Sequence, residues 1–358
     1  MRDRPIRVLP LVGGPAQRGN LHGSRYGDEI REFADARIEL SRFGSGLTRP
    51  EVLDLAAECL PAHHAYAPDL YEEMESIAAA SGLTPAEAVV LGGYTDFIDT
   101  VRAHAASGPM ADNCTAVLVP DERADGAGFL AQTWDMDITA TPHVVMLRIE
   151  PDDGPAALVF STVGCLGQIG MNEAGISVGI NNLTAADGKI GVTWPFVVRR
   201  ALQQQDLAAA VQCVMEADLA GGHNYLLFDR QGRGVSIEAM PSTRQIIPLA
   251  DSALVHTNHC LTEAAQGVEG DRLAHLQDSS VRRLDEAAEM LDVASVDVPA
   301  LMQLLRHESS ICRRPAPPEN YESCGAAIMR PATGEFWACW GIPADNEFEH
   351  FSTAAIRT

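Results

Sequence analysis

The sequence changes character once, at Asp112-Asn113-Cys114. Before that point it reads as helices after one short strand, and after it strands predominate. Residues 7–12 form an apolar run closed by Gly13-Gly14-Pro15. Helical spacing covers 26–43 and 51–60, and 71–80 is rich in Glu, Met and Ala. Thr84-Pro85-Ala86-Glu87 is a helix start, with Thr84 as N-cap, Pro85 at the first position and Glu87 at the third. The apolar helix 88–98 follows. Strands are then predicted at 115–119, 128–133, 143–149, 156–162 and 176–181. Asp152-Asp153-Gly154-Pro155 and Asn172-Glu173-Ala174-Gly175 serve as turns between them. Helices are predicted at 195–203 and 207–216, and strands at 224–229, 234–240, 244–248 and 253–257. Helices at 271–292 and 298–307 precede a closing hairpin, 324–330 and 335–340, and 313–319 is a Pro-rich loop. Runs of strands followed by runs of helices predict an α+β fold in which helices cover antiparallel sheets.

The composition suits such a fold. At 46% apolar and 21% charged residues over 358 positions, the chain can bury a core, which excludes wholesale disorder. A net charge of −23 repels phosphate, so nucleic acid and anionic membrane are poor partners, while cationic or neutral small molecules are compatible. No apolar run approaches the roughly 18 residues of a membrane-spanning helix. The N-terminal apolar run is shorter than a secretory signal needs, so a cytoplasmic location is expected. The eight cysteines form no CxxC, which argues against a zinc ribbon or a thiol redox pair. Most of them read as small buried hydrophobes.

Cys114 differs from the others because it opens a strand directly after Asp112-Asn113. Cutting the Asn113–Cys114 bond would give Cys114 a free α-amine, with a reference pKa of about 7.7–8.0. Nucleophile and base would then occupy one residue, and the thiol itself can start the cut by an N-to-S acyl shift. A strand through Gln132-Thr133-Trp134-Asp135 running antiparallel beside Cys114 would bring the Asp135 carboxylate back to hold that ammonium or a substrate amine. Asn181 and Asn258 stand at predicted strand ends, where an amide N–H can serve an oxyanion. Ser279-Ser280-Val281-Arg282-Arg283-Leu284 opens an amphipathic helix. Arg283 either lies on its solvated face or points inward to bind a carboxylate or polarise a carbonyl. His256, His259 and Cys260 raise zinc, but HxxH does not set both rings on one helical face and no acidic base accompanies it. Neither metal nor cofactor is expected. Taken singly, these residues also fit a buried structural thiol, a turn aspartate, capping asparagines and a solvated arginine.

Their order along the chain is more specific. Asp112-Asn113-Cys114-Thr115, Gln132-Thr133-Trp134-Asp135, the stretch from Met171-Asn172-Glu173 to Gly179-Ile180-Asn181, and His256-Thr257-Asn258-His259 together resemble the acyl-coenzyme A:6-aminopenicillanic acid acyltransferase family. Arg18-Gly19-Asn20-Leu21-His22-Gly23 and Gly341-Ile342-Pro343 extend the resemblance toward both ends. The family implies a four-layer αββα N-terminal-nucleophile hydrolase fold and a precursor that cuts itself before the cysteine. The pieces would be a mostly helical α chain, 1–113, and a β chain, 114–358, associated as one domain.

The resemblance implies that Cys114 is nucleophile and base, that Asp135 positions its amine and that Asn258 serves the oxyanion. The related bile-salt hydrolase and penicillin V acylase group supports Asn181 and, through Ser-Ser-x-x-Arg, Arg283. That group has arginine where this chain has Gln132, so charge-based binding is not expected at that point. Gln132, Trp134 and Thr115 are the expected substrate contacts. The residue before the nucleophile, often glycine in the family, is Asn113 here. The glycines of 18–23 are expected to let helices approach closely. The expected activity is cysteine amidohydrolysis of a small N-acyl amide through an acyl-thioester. The alternatives are an N-acyltransferase using a coenzyme A thioester or an amide donor, an unprocessed binding protein and, last, a zinc amidase. The expected partners are the small substrate and the chain's own α piece, and a homo-oligomer is compatible.

Overall fold

The computed structural model describes residues 5–105, 113–316 and 320–356. Asp112 and positions 317–319 of the Pro-rich loop lie outside the described residues. The first part of the chain is helical, as its spacing predicts. After β1 (Val8–Gly13) come α1 (Pro15–Arg42), α2 (Arg49–Tyr66), α3 (Pro68–Ser81), α4 (Pro85–Gly92) and α5 (Tyr94–His104). Thr84 and Glu87 form a reciprocal capping box at the start of α4, as Thr48 and Glu51 do for α2. Two boundaries differ from expectation. α1 starts at Pro15, because proline presets the first turn and a kink at Tyr26 joins what reads as two segments. The run 88–98 is two helices broken at Gly93, where a Cβ would lie 2.4 Å from Thr193.

From Cys114 strands take over: β2 (Cys114–Val119), β3 (Phe129–Asp137), β4 (Val144–Pro151), β5 (Ala157–Thr162), β6 (Ile169–Asn172) and β7 (Ile176–Asn182). Helices α6 (Trp194–Ala201) and α7 (Leu207–Glu216) precede β8 (His223–Asp229), β9 (Gly234–Ala239), β10 (Arg244–Pro248) and β11 (Leu254–His256). The chain continues through α8 (Glu263–Gln266), α9 (Ala274–Leu291), α10 (Val298–Leu305), β12 (Tyr321–Arg330), β13 (Glu335–Trp340) and β14 (Phe348–Ser352). β6 and β14 had no counterpart in the sequence reading, because each is too short to show a period.

Two sheets result, ordered β1-β4-β5-β6-β7-β8-β9-β10 and β11-β2-β3-β12-β13-β14. Successive side chains of a strand point to opposite faces, so the apolar partners of each residue reveal the layers. Cys114, Ala116 and Leu118 of β2 belong to a core that also holds residues of β7 and β8. Val117 and Val119 instead pack with Ala287 and Leu291 of α9 and with Leu301, Leu304 and Leu305 of α10. The smaller sheet is thus covered by the larger sheet on one face and by α9 and α10 on the other. α1, α6 and α7 pack on the larger sheet, which completes an αββα sandwich. Among the described residues, no helix is long and apolar enough to cross a membrane.

The α1–α3 contact is close because glycine permits it. A Cβ on Gly19 would lie 2.3 Å from the Glu73 carbonyl oxygen, and one on Gly23 2.5 Å from that of Ile77. The approach brings Arg18 of α1 and Arg199 of α6 to 2.7 and 3.0 Å from the buried Glu73 carboxylate of α3. Burial pushes the Glu73 pKa up, but the two guanidiniums outweigh it and hold the group below its ordinary value. Gly19→Ala is therefore expected to cost about 1–3 kcal/mol by overpacking, read as a lower denaturant midpoint. An unchanged midpoint would show that α1 and α3 can separate freely.

Candidate active site

The β2–β3 ladder pairs Cys114 with Trp134. It runs one residue further, with the Asp135 N–H donating to the Asn113 carbonyl at 3.0 Å. Asp135 is therefore opposite the Asn113–Cys114 junction, as the antiparallel reading predicts. Trp134 and Met136 share the inter-sheet core with Cys114, so alternation turns the Asp135 side chain toward α9. There Ser323, paired with Asp135 in the β12–β3 ladder, donates its hydroxyl to Asp135 Oδ1 at 2.6 Å. Asn113, Cys114 and Asp135 are 1%, 4% and 1% exposed, so the junction is shielded from bulk solvent.

Asn258 and Arg283 grip the same peptide from the other side. The Cys114 N–H donates to Asn258 Oδ1 at 2.7 Å. Arg283 Nη2 donates to that oxygen at 2.9 Å and to Asn113 Oδ1 at 3.3 Å, while Nη1 reaches the Cys114 carbonyl and, at 3.0 Å, Thr115 Oγ1. Asn258 Nδ2 donates to the Asn182 carbonyl at 2.9 Å, and its backbone N–H donates to Ser280 Oγ at 2.9 Å. Ser280 and Arg283 are three residues apart on α9 and share one face, which explains why one helix supplies both. Burial lowers the Arg283 pKa to about 10, against the pull of Asp135, so the group stays cationic at neutral pH. Burial raises the Asp135 carboxyl to about 6, opposed by the Ser323 hydrogen bond and by Arg283 and Arg313.

The remaining sequence candidates fall into two groups. Asn181 lies two residues beyond Gly179, whose open side receives Gln132 and Leu130, and so faces the smaller sheet. Its Oδ1 accepts from Asn224 Nδ2 at 3.2 Å, while its Nδ2 is buried without a partner. Asn258, expected as an amide donor, instead turns its oxygen to the Cys114 nitrogen. Gln132 has a different task from the substrate contact expected of it. Its carboxamide bridges the two sheets, donating to the Ile180 carbonyl at 3.1 Å and accepting from the Ile180 N–H at 2.8 Å. An amide buried between sheets needs both ends paired, and the β7 backbone pairs them. Trp134 packs edge-on against Phe160 in the core, and Thr115 is held by Arg283.

His256 and His259 go to different partners, Glu238 at 3.0 Å and Ser280 at 2.8 Å. Ser323 and Asn182 escaped the sequence reading, because only the β12–β3 pairing and the Asn258 carboxamide connect them to the centre. Two open clefts lie on this side of the smaller sheet's strands, the first next to Arg283 and the second three strands from Cys114. One of about 400 Å³ includes Ser279, Arg282, Cys312 and Arg313, and Ser279 Oγ is 3.5 Å from Arg283 Nε. Another of about 750 Å³ includes Trp340, at the end of the cross-strand row Cys114–Trp134–Gly325–Trp340.

The site thus sits in an αββα sandwich, with a buried cysteine at the first residue of a central strand and its N–H held by a side chain from a neighbouring loop. Residues 122–345 match the family model for acyl-coenzyme A:6-aminopenicillanic acid acyl-transferase, and the chain belongs to that family. It is accordingly an enzyme of acyl-transfer and amide-bond chemistry. The chain is 24% identical over 270 residues to the acyl-coenzyme A:6-aminopenicillanic-acid-acyltransferase 40 kDa form of Emericella nidulans, covering 75% of this chain and 72% of that one. Among solved structures, a mutant conjugated bile acid hydrolase from Clostridium perfringens has a TM-score of 0.45 at 11% identity, covering 66% of this chain and 96% of that one. Penicillin V acylase from Agrobacterium tumefaciens has a TM-score of 0.42 at 9% identity, covering 68% and 86%.

Arg283 supplies the donors for several buried oxygens, and each acceptor left without one costs about 1–3 kcal/mol. In an uncut Cys114→Ala background, Arg283→Met is expected to lower the unfolding free energy by about 3 kcal/mol or more, measured by denaturant titration. An unchanged midpoint would remove Arg283 as the organiser of this centre.

Proposed function

We propose that the protein is an autoproteolytically activated cysteine amidohydrolase that cleaves a small N-acyl amide through an acyl-thioester on Cys114. The observation that carries this reading is the grip on the Asn113–Cys114 peptide. Asp135 N–H holds the carbonyl before the bond, Asn258 Oδ1 holds the nitrogen after it, and Arg283 holds the next carbonyl. A peptide gripped on both sides in an interior shielded from bulk solvent is poised for an attack from its own thiol.

Self-cleavage frees the Cys114 amine, which takes the thiol proton in turnover. The thiolate attacks a substrate amide carbonyl, the amine product leaves with the proton, and water releases the acyl group. Asn181 Nδ2, buried without a partner, is the free donor for the oxyanion, and Asn258 keeps the Cys114 nitrogen in place. Arg283 and Asp135 set the charge around the amine. The cleft of about 400 Å³ next to Arg283 is within the size range of small-molecule sites. Acyl transfer to an amine acceptor runs through the same thioester, and the family description favours it as the second reading.

The two pieces, 1–113 and 114–358, are expected to stay together. β1 pairs with β4, and Glu73 with Arg199. Asp96 accepts from the Trp194 N–H and from His223, and Asp99 from the Ala185 and Gly222 N–H groups. All of these buried contacts cross the junction.

Intact-mass analysis of purified wild type should show two co-purifying pieces that meet between Asn113 and Cys114, and Cys114→Ala should stay whole. Wild type that turns over substrate while uncut would refute the reading. Asn181→Ala in the cut enzyme should lose roughly 10²–10³ in kcat. The Asp135 carboxylate is ionised above a pKa of about 6 and protonated below it. Turnover should therefore fall as pH drops through that value. Asp135→Asn should show a lower rate without that acid limb, and a limb that persists in the variant would assign it to another group.

A further inference from the structure

The residue before the scissile bond carries a second nucleophile of its own. Asn113 is 1% exposed, and its Oδ1 is held by Arg283 Nη2 at 3.3 Å. Its Nδ2 is buried without a hydrogen-bond partner. The carboxamide is thus fixed by its oxygen, with its nitrogen left free. That nitrogen is one five-membered ring away from the residue's own main-chain carbonyl carbon, and the Asp135 N–H polarises this carbonyl at 3.0 Å. The reverse cyclisation, in which the Cys114 nitrogen would attack the Asn113 side chain, is opposed because that nitrogen is held by Asn258 Oδ1.

We propose that Asn113 completes the self-cleavage by cyclising, so that the α piece is released with a C-terminal succinimide. The proposal rests on the self-cleavage put forward above and concerns its second step. In the first step Cys114 Sγ bonds to the Asn113 carbonyl carbon, the C–N bond breaks and the thiol proton passes to the Cys114 nitrogen. The product is a thioester and a free α-amine. In the second step Asn113 Nδ2 bonds to the same carbon, the C–S bond breaks and one Nδ2 proton passes to Sγ. No water is consumed and no other reactant is needed.

The competing step is hydrolysis of the thioester by water. The junction is shielded from bulk solvent, and well-oriented intramolecular nucleophiles reach effective molarities of about 10⁵–10⁸ M. A ring-forming amide already in place therefore outruns a water that must first enter. Residue 113 acts once, on its own chain, and its side chain leaves a chemical mark there. Later opening of the ring by water at either carbonyl yields a mixture of C-terminal asparagine and C-terminal aspartyl α-amide.

The test is mass spectrometry of the full chain made by cell-free synthesis and quenched in acid over a time course. The expected early α piece is lighter by one water molecule than residues 1–113 with a free carboxyl end. Its mass and that of the β piece then sum to the uncut chain. Fragmentation of aged material should find the aspartyl α-amide end beside the asparagine end. Asn113→Gly, which lacks the side-chain nitrogen, should be cut more slowly and yield only the water-added piece. Wild type whose α piece carries the full water at the earliest times, and only an asparagine end later, would overturn the proposal while leaving the self-cleavage intact. A chain that never cuts would remove both.

Discussion

A buried guanidinium that has no carboxylate in hydrogen-bond contact among the described residues organises this centre. Arg283 spends its donors on neutral oxygens of Asn113, Cys114, Thr115 and Asn258. A charge taken out of water is costly unless its hydrogen bonds are satisfied, and these oxygens satisfy them. In return they fix the register of three consecutive residues around one peptide bond and the orientation of the Asn258 carboxamide. The nearby anion is Asp135, whose oxygen is engaged by Ser323 instead. The centre therefore keeps opposite charges close without pairing them off, which leaves both fields available to a reacting group between them.

That separation comes from strand geometry. Cys114 and Asp135 are on adjacent strands at neighbouring rungs, but alternation sends their side chains to opposite faces of the smaller sheet. The thiol looks into the inter-sheet space with Trp134, while the carboxylate looks toward α9 with Ser323. The Cys114 main-chain nitrogen stands at the strand's start, between these two faces. The pleat is compatible with the proposed division, in which the amine serves the thiol and the carboxylate serves the amine. The larger sheet adds the Asn182 carbonyl, which holds the Asn258 carboxamide, so both sheets contribute to the grip on one peptide.

Much of this was legible in the residues. The switch at Cys114, the capping box at Thr84 and the return of Asp135 beside Cys114 are local or nearest-strand features, and their signals are turn chemistry and alternation. The glycines of α1 were legible for the same reason, since a small residue at helical spacing permits little else. The inter-sheet bridge of Gln132 is not legible, because a polar residue in a strand looks alike whether it meets a substrate or a neighbouring sheet. Only the packing of β3 on β7 shows that the Ile180 backbone occupies its amide. Ser323 was invisible because its partner comes from β3, nearly two hundred residues earlier in the chain. The two roles of an asparagine amide, oxygen to the nucleophile's nitrogen or nitrogen to an oxyanion, are likewise identical in sequence. At Asn258 the Asn182 carbonyl decides between them.

The charges fixed before cleavage also bear on the enzyme it would produce. A terminal amine has a pKa of about 7.7–8.0 when free, so at neutral pH most of it would be protonated and unable to act as a base. In the proposed mature site it emerges where Asn258 Oδ1 and Arg283 Nη2 already meet. A cation at that distance disfavours a second positive charge and lowers the amine's pKa, and burial acts in the same direction. Asp135 pulls the other way, yet its own pKa is raised by burial and its oxygen is shared with Ser323, which weakens that pull. On the proposed reading one arginine serves both stages. It holds the peptide in register before the cut, and afterwards its charge favours the unprotonated form of the amine, the form that can accept the thiol proton.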